Sequence, residues 1–149
     1  METLRASASM PFASKPVEIN GKKYLDGGVT DSIPFEKFAE MGYEKQVVVL
    51  TRDMSYRKKP MNGALISLFY RKYPEFRRRL KNRHIVYNES IHKLAELEKA
   101  GRAFVIRPSA PIEISRTERE PEKLKQVYAL GRADAERELE RLGKYLGEQ

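Results

Sequence analysis

The stretch GKKYLDGGVTDSIP, residues 21–34, sets an aspartate directly before two glycines. Asp26, Gly27 and Gly28 read first as ordinary turn chemistry, because glycine takes positive φ cheaply and aspartate tolerates tight bends. A carboxylate presented on such a turn can also serve as a general base, provided a hydroxyl nucleophile lies within hydrogen-bond reach. Four serines lie in the same region: Ser7, Ser9, Ser14 and Ser32. Ser7 and Ser9 sit among small residues in ASASMP and read as packing residues, and Ser32 reads as a helix cap. His84 and His92 stand eight apart on one predicted helix with Asn88 between them. A metal site needs three or four converging ligands, and no carboxylate stands at matching spacing, so a helix face is the expectation there. No metal and no cofactor is expected.

The elements that must position these residues follow from local pattern. VEINGKKYL is a hairpin signal, two short strand-like runs around Asn20-Gly21, the preferred type I′ pair. In that register Glu18 faces Lys23 and Val17 faces Tyr24, and extension would set Lys15 opposite Asp26. DSIPFEKFAEMGYE reads as a short helix with Asp31 or Ser32 as cap, Pro34 in its first turn, Phe35 and Phe38 on one face, and Gly42 as its end. KQVVVLTR predicts a strand buried on both faces, as inside a mostly parallel sheet. Helical patterns then run from about Asn62 to Lys72 and from Pro74 to about Lys99, with Phe76, Leu80, Ile91, Leu94 and Leu97 apolar and Gly101 as the stop. RAFVIRP predicts a further strand ended by Pro108. A last helix starts near Pro121 and places Leu124, Val127, Tyr128, Ala135, Leu139, Leu142 and Leu146 on one side. Gly131 inside it costs about 1 kcal/mol against alanine, which suggests close packing at that point. The order of elements is α/β, with few strands for the length.

The chain has 149 residues, 34% of them charged and 40% hydrophobic, and no cysteine, so disulfides and thiolate metal sites are excluded. The longest strongly apolar run, Val47 to Leu50, is far below the roughly 20 residues of a membrane span. The N-terminal residues lack the apolar core of a signal peptide, so the expectation is a cytoplasmic protein, at most peripheral to the inner face of the membrane. The net charge of +8 is concentrated. Residues 52–83 hold Arg52, Arg57, Lys58, Lys59, Arg71, Lys72, Arg77, Arg78, Arg79, Lys81 and Arg83 against Asp53 and Glu75, while the rest of the chain is close to neutral. Arg71, Lys72, Arg77, Arg78, Arg79, Lys81 and Arg83 are candidate contacts to phosphate. A solvated face is the plain reading of this run, anionic membrane the first functional one, and nucleic acid the lesser alternative, since no nucleic-acid motif is present.

Taken in order, LRASASMPFASKPVEINGKKYLDGGVTDSIP resembles the second catalytic block of patatin-like phospholipases, and VVVLTR, AFVIRP and YALGRADAERELERL resemble the C-terminal extension of the bacterial branch of that family. DGG alone would be weak; the ordered combination carries the likeness. The resemblance implies a partial patatin-like three-layer α/β fold, a few strands of mostly parallel sheet plus one hairpin, with a helical C-terminal extension. It divides the chain into residues 1–56, the C-terminal part of a catalytic domain, and residues 57–149, a basic helical region with one strand and the terminal amphipathic helix. It implies a serine–aspartate dyad acting on a fatty-acyl lipid ester, with Asp26 as the aspartate, Gly27 and Gly28 as the turn that presents it, and Ser7 and Ser9 as supporting small residues. The sequence departs from the family in one respect. It contains no G-x-S-x-G, and its only adjacent glycines are Gly27 and Gly28, so neither nucleophile nor oxyanion loop is encoded in these residues. The expectation is the back half of such a hydrolase, from a truncated or split gene, inactive alone and partnered by the other half or by a second copy through exposed sheet edges. The alternative is a basic module without catalysis that binds anionic membrane or nucleic acid.

Overall fold

In the computed structural model, which describes residues 1–115 and 117–147, the chain is a mixed α/β protein with an antiparallel hairpin, a parallel strand pair and a long C-terminal helix. It forms two compact units, one of Met1–Pro34 with Arg57–His92, the other of Phe35–Tyr56 with Lys93–Gln149.

The first unit begins with α1 (Glu2–Ser7) and the hairpin strands β1 (Val17–Ile19) and β2 (Lys22–Tyr24). Asn20 and Gly21 take φ of 50° and 73°, the type I′ signature, and the register pairs Val17 with Tyr24 and Glu18 with Lys23 as the sequence indicates. The ladder stops there. It does not extend to Lys15 and Asp26, because the chain leaves β2 at Leu25 to enter a 3₁₀ turn, Gly27–Val29. The same unit holds α3 (Gly63–Phe69), shorter than the pattern predicted, with Asn62 accepting from the Ala64 and Leu65 N–H groups as its cap. Its helix bonds end where Tyr73 N–H turns back to the Tyr70 carbonyl. α4 (Pro74–Lys99) follows with the expected bounds and gives the first unit its turns up to His92. Val29, Ile66 and Leu80 make the core of this unit, with Tyr70 and Phe76 packed against it. The Asn88 side chain pins the incoming basic segment by accepting from Lys58 N–H at 2.9 Å and donating to Lys58 O at 3.1 Å.

The second unit contains α2 (Phe35–Glu40), β3 (Gln46–Val49), the last turns of α4, β4 (Ala103–Ile106) and α5 (Pro121–Leu146). β3 and β4 pair in parallel, Gln46 with Ala103 through Val49 with Ile106. β4 is buried along nearly its whole length, but β3 is not the doubly buried strand its β-branched run predicts. Val47 and Val49 are exposed, because β3 has one strand neighbour and one covered face among the described residues. Phe35 and Phe38 are also divided, Phe35 buried and Phe38 exposed against Tyr43. Neither Asp31 nor Ser32 caps α2. Asp31 accepts from Ile33 N–H, and Ser32 donates to the Gly28 carbonyl at 2.8 Å. Gly42, at φ 91°, and Gly101, at φ 69°, sit just past α2 and α4, where a left-handed residue ends a helix.

α5 meets the rest of its unit along a polar edge. Tyr145 tilts against Phe104, its hydroxyl accepts from Gln46 N–H at 3.0 Å, and Arg141 lies over the Phe104 ring. The apolar stripe of the helix is only partly covered: Val127, Ala135 and Leu142 are half-buried, whereas Leu124, Tyr128, Leu139 and Leu146 are exposed. Among the described residues, Gly131 meets no neighbour within 4 Å of a would-be Cβ, so the close packing suggested by its presence is not seen there.

Candidate active site

Asp26 stands where β2 gives way to the 3₁₀ turn, and local bonds hold it there. Its own N–H donates to the Ser9 carbonyl at 2.9 Å, tying the turn to the end of α1. Its Oδ1 accepts from Gly28 N–H at 2.7 Å, the cap of the turn. Val29, three residues on, is buried in the core with Ile66 and Leu80. The turn is therefore anchored at both ends, through Ser9 before it and Val29 after it. Asp26 itself is half-buried, and its Oδ2 has no hydrogen-bond partner among the described residues. A carboxylate fixed by one oxygen with the other open is chemically able to take a proton from a hydroxyl brought to it.

The Gly28 carbonyl is the second fixed point. It accepts from Ser32 Oγ at 2.8 Å and from Arg83 Nε at 2.6 Å. A Cβ at residue 28 would lie 3.1 Å from Asp26 Oδ1 and 3.4 Å from Arg83 Nη2, so glycine lets the carboxylate and the guanidinium flank the same point. The cation beside the turn is Arg83 rather than Lys15, which is exposed and has no ion pair among the described residues. Sequence reasoning placed Arg83 among phosphate contacts and missed this bracing role. A signal existed, since Phe76, Leu80 and Arg83 fall at i, i+4 and i+7 on α4 and so share a face.

The other candidate residues divide cleanly. Ser7 is exposed on α1, while Ser9, just past the helix, is buried and donates its hydroxyl back to Arg5 O of α1 at 2.7 Å. Gly27 is exposed, and its carbonyl accepts from Thr30. Arg71, Lys72 and Lys81 point to solvent, and Arg77 is half-buried. Arg78 and Arg79 are engaged with Glu75, whose carboxyl is held below its ordinary range by the hydrogen bond from Arg78 and the charges of both arginines. His84 Nδ1 lies 3.0 Å from Lys81 O, and among the described residues no cluster of three or more His, Cys, Asp or Glu side chains could hold a metal ion. Among those residues, no helix is long and apolar enough to cross a membrane.

A small cleft of about 90 Å³ lies on the hairpin side of the unit, lined by Leu25, the residue before Asp26, but not by Asp26 itself. Pro16, Leu25, Tyr70 and Phe76 give it apolar walls, and Lys23 reaches the Tyr73 hydroxyl at 3.3 Å at its rim.

Residues 1–39 match the patatin-like phospholipase family, which links the chain to the patatin superfamily. An uncharacterized protein of Escherichia coli (strain K12), YjjU, is 38% identical over 52 residues, a stretch that covers 34% of this chain and 15% of that protein. No solved structure matches. Residues 73–147, half of the sequence, match the domain of unknown function DUF6363, and the chain belongs to that family.

Proposed function

We propose that this chain supplies the aspartate half of a serine–aspartate lipid acyl hydrolase of the patatin type. The observation that supports it most is the fixed geometry of Asp26, one oxygen capped by Gly28 N–H and the other unpartnered among the described residues, inside the segment that matches the patatin-like family. In this reading residues 1–56 complete the patatin-like three-layer catalytic domain, and residues 57–149 are its C-terminal extension. Gly27 and Gly28 present Asp26, and Ser7 and Ser9 keep the neighbouring helix end small. A serine on a G-x-S-x-G turn upstream attacks the carbonyl carbon of a fatty-acyl ester while its proton passes to Asp26 Oδ2. The tetrahedral oxyanion is held by backbone N–H groups of that upstream segment. Asp26 returns the proton to the departing alcohol oxygen, leaving an acyl-serine. Water then attacks this ester, Asp26 takes its proton, and the fatty acid leaves as serine is regenerated. The partner is the upstream half or, failing that, a second copy of the chain, and the site of action is the cytoplasmic face of a membrane.

The purified 149-residue chain should hydrolyse p-nitrophenyl acyl esters no faster than background. Co-expressed with an upstream segment carrying G-x-S-x-G, it should restore hydrolysis, and Asp26→Asn should abolish it by about a hundredfold or more. Hydrolysis by the isolated chain, or full activity of the Asp26→Asn complex, would overturn the proposal.

A further inference from the structure

Three side chains of α3 stand outward while one seals the core. Ile66 is completely buried, whereas Leu65 is half exposed, Phe69 is 66% exposed and Leu68 is 72% exposed. Phe12 extends this apolar edge. Its ring meets Phe69 edge-on at 5.5 Å and Tyr70 at 5.1 Å, yet is itself exposed. Phe12 holds φ at 67°, a conformation that bulky residues avoid, and the Tyr70 hydroxyl accepts its N–H at 2.8 Å to keep it there. A strained backbone that turns an aromatic ring toward solvent needs an explanation beyond stability.

The charge around this edge is of one sign. Arg71 and Lys72 follow α3 directly and are exposed, and Arg78, Arg79 and Lys81 occupy the next turns of α4. Between residues 57 and 83 the single acidic residue is Glu75, already paired with Arg78 and Arg79. We infer that Phe12, Leu65, Leu68 and Phe69 insert into the surface of an anionic lipid bilayer while Arg71 and Lys72 bind its headgroup phosphates. Neither signal suffices alone, since exposed Leu and Phe give weak interfacial binding and a basic patch is easily screened, but together they hold a protein at a membrane. A second copy is the poorer occupant. A symmetric interface through this edge would set Arg71 and Lys72 near their own counterparts, and like charges across an interface repel. The choice of lipid as occupant agrees with the lipid-ester reading of Asp26, but the surface stands on its own residues.

Co-sedimentation of the full chain with phosphatidylcholine vesicles, with and without phosphatidylglycerol, tests this. The wild type should bind the anionic vesicles at least about tenfold more tightly than neutral ones, and part of that binding should persist in high salt. Leu68→Ser with Phe69→Ser should remove the salt-resistant part, and Arg71→Glu with Lys72→Glu should remove the preference for anionic lipid. Circular dichroism should show both pairs folded, as expected for solvent-facing positions. Unchanged binding by the Leu68/Phe69 variant would overturn the inference, as would no binding by the wild type. Sedimentation showing a wild-type dimer that the same pair dissolves would also overturn it and assign the edge to self-association. Asp26→Asn should bind vesicles like the wild type, so failure of the catalytic proposal and failure of this one are separable.

Discussion

In the first unit an apolar cluster joins three elements: Val29 from the DGG turn, Ile66 from α3 and Leu80 from α4. In the second, β4 and Leu94 supply an apolar interior, yet the helix laid on it buries a carboxylate and leaves four large apolar side chains in solvent. Asp134 on α5 is buried and accepts from Ser109 N–H at 2.9 Å while pairing with Arg137. The first arrangement positions a turn by filling space around it, and the second fixes a helix by a few directional bonds. Apolar contact tolerates small shifts, whereas a buried carboxylate demands its partners. The Asp26 turn uses both, Val29 for burial and Arg83 for direction.

If that contrast is right, truncation hurts most in the first core. Ile66→Ala or Leu80→Ala should each cost about 2–5 kcal/mol, read from denaturant or thermal unfolding. Leu139→Ala, on the bare stripe of α5, should stay within about 0.5 kcal/mol. Equal losses at Leu80 and Leu139 would mean that the stripe is covered in solution and that the contrast between the two units fails.

The next test concerns the buried carboxylate. Burial raises the Asp134 pKa, but the backbone and hydroxyl of Ser109 together with the Arg137 charge outweigh it and leave the carboxyl below its ordinary value of 3.8. A group depressed on folding stabilises the folded state above its unfolded pKa, and that contribution is lost as pH falls through the lower folded value. Asp134→Ala should cost about 1–3 kcal/mol near neutral pH, from the unsatisfied Ser109 N–H and the lost pair. The gap in melting temperature between wild type and Asp134→Asn should close as the pH drops below 3.8. A gap that widens with acidification would show that the carboxylate is not held as described.

Arg83 tests the turn. Replacing it with methionine keeps much of its stem and removes the bond to the Gly28 carbonyl, which Ser32 still shares. The expected loss is about 1 kcal/mol, with amide exchange faster at Gly28 and Val29 than in β4. Protection unchanged at the turn would show that Val29 burial alone holds it.

Much of the first unit was legible because its signals are local. Asn20-Gly21 specifies the hairpin, Asp26-Gly27-Gly28 a turn, and Pro74 to Gly101 a bounded helix whose turns up to His92 belong to this unit, and each lies where the sequence indicates. The bracing role of Arg83 was missed because its partner is 55 residues away and it sits at the end of a cation-rich run with Arg77, Arg78, Arg79 and Lys81. On β3 the three valines promised burial on both faces, but burial is set by how many strands and helices cover a strand, and Val47 and Val49 have too few. On α5 the heptad-like leucines were legible as a stripe. Which edge of the helix docks was not, since that was decided by Asp134, Arg141 and Tyr145, whose partners lie elsewhere in the chain.

The smallest effect tests that last point in the opposite direction. Glycine inside a helix is destabilising by about 1 kcal/mol against alanine, and such a residue is usually kept where another chain segment passes close. Gly131 has no such neighbour among the described residues: a methyl group there would meet nothing within 4 Å. Gly131→Ala should therefore stabilise the isolated chain by up to about 1 kcal/mol, seen as a higher melting temperature. Tyr128, three residues before Gly131, is exposed like the glycine itself, and a partner seated on that side of α5 would pass directly over the glycine. A destabilising Gly131→Ala would then locate a close contact on the bare stripe, and it would do so without any knowledge of what makes it.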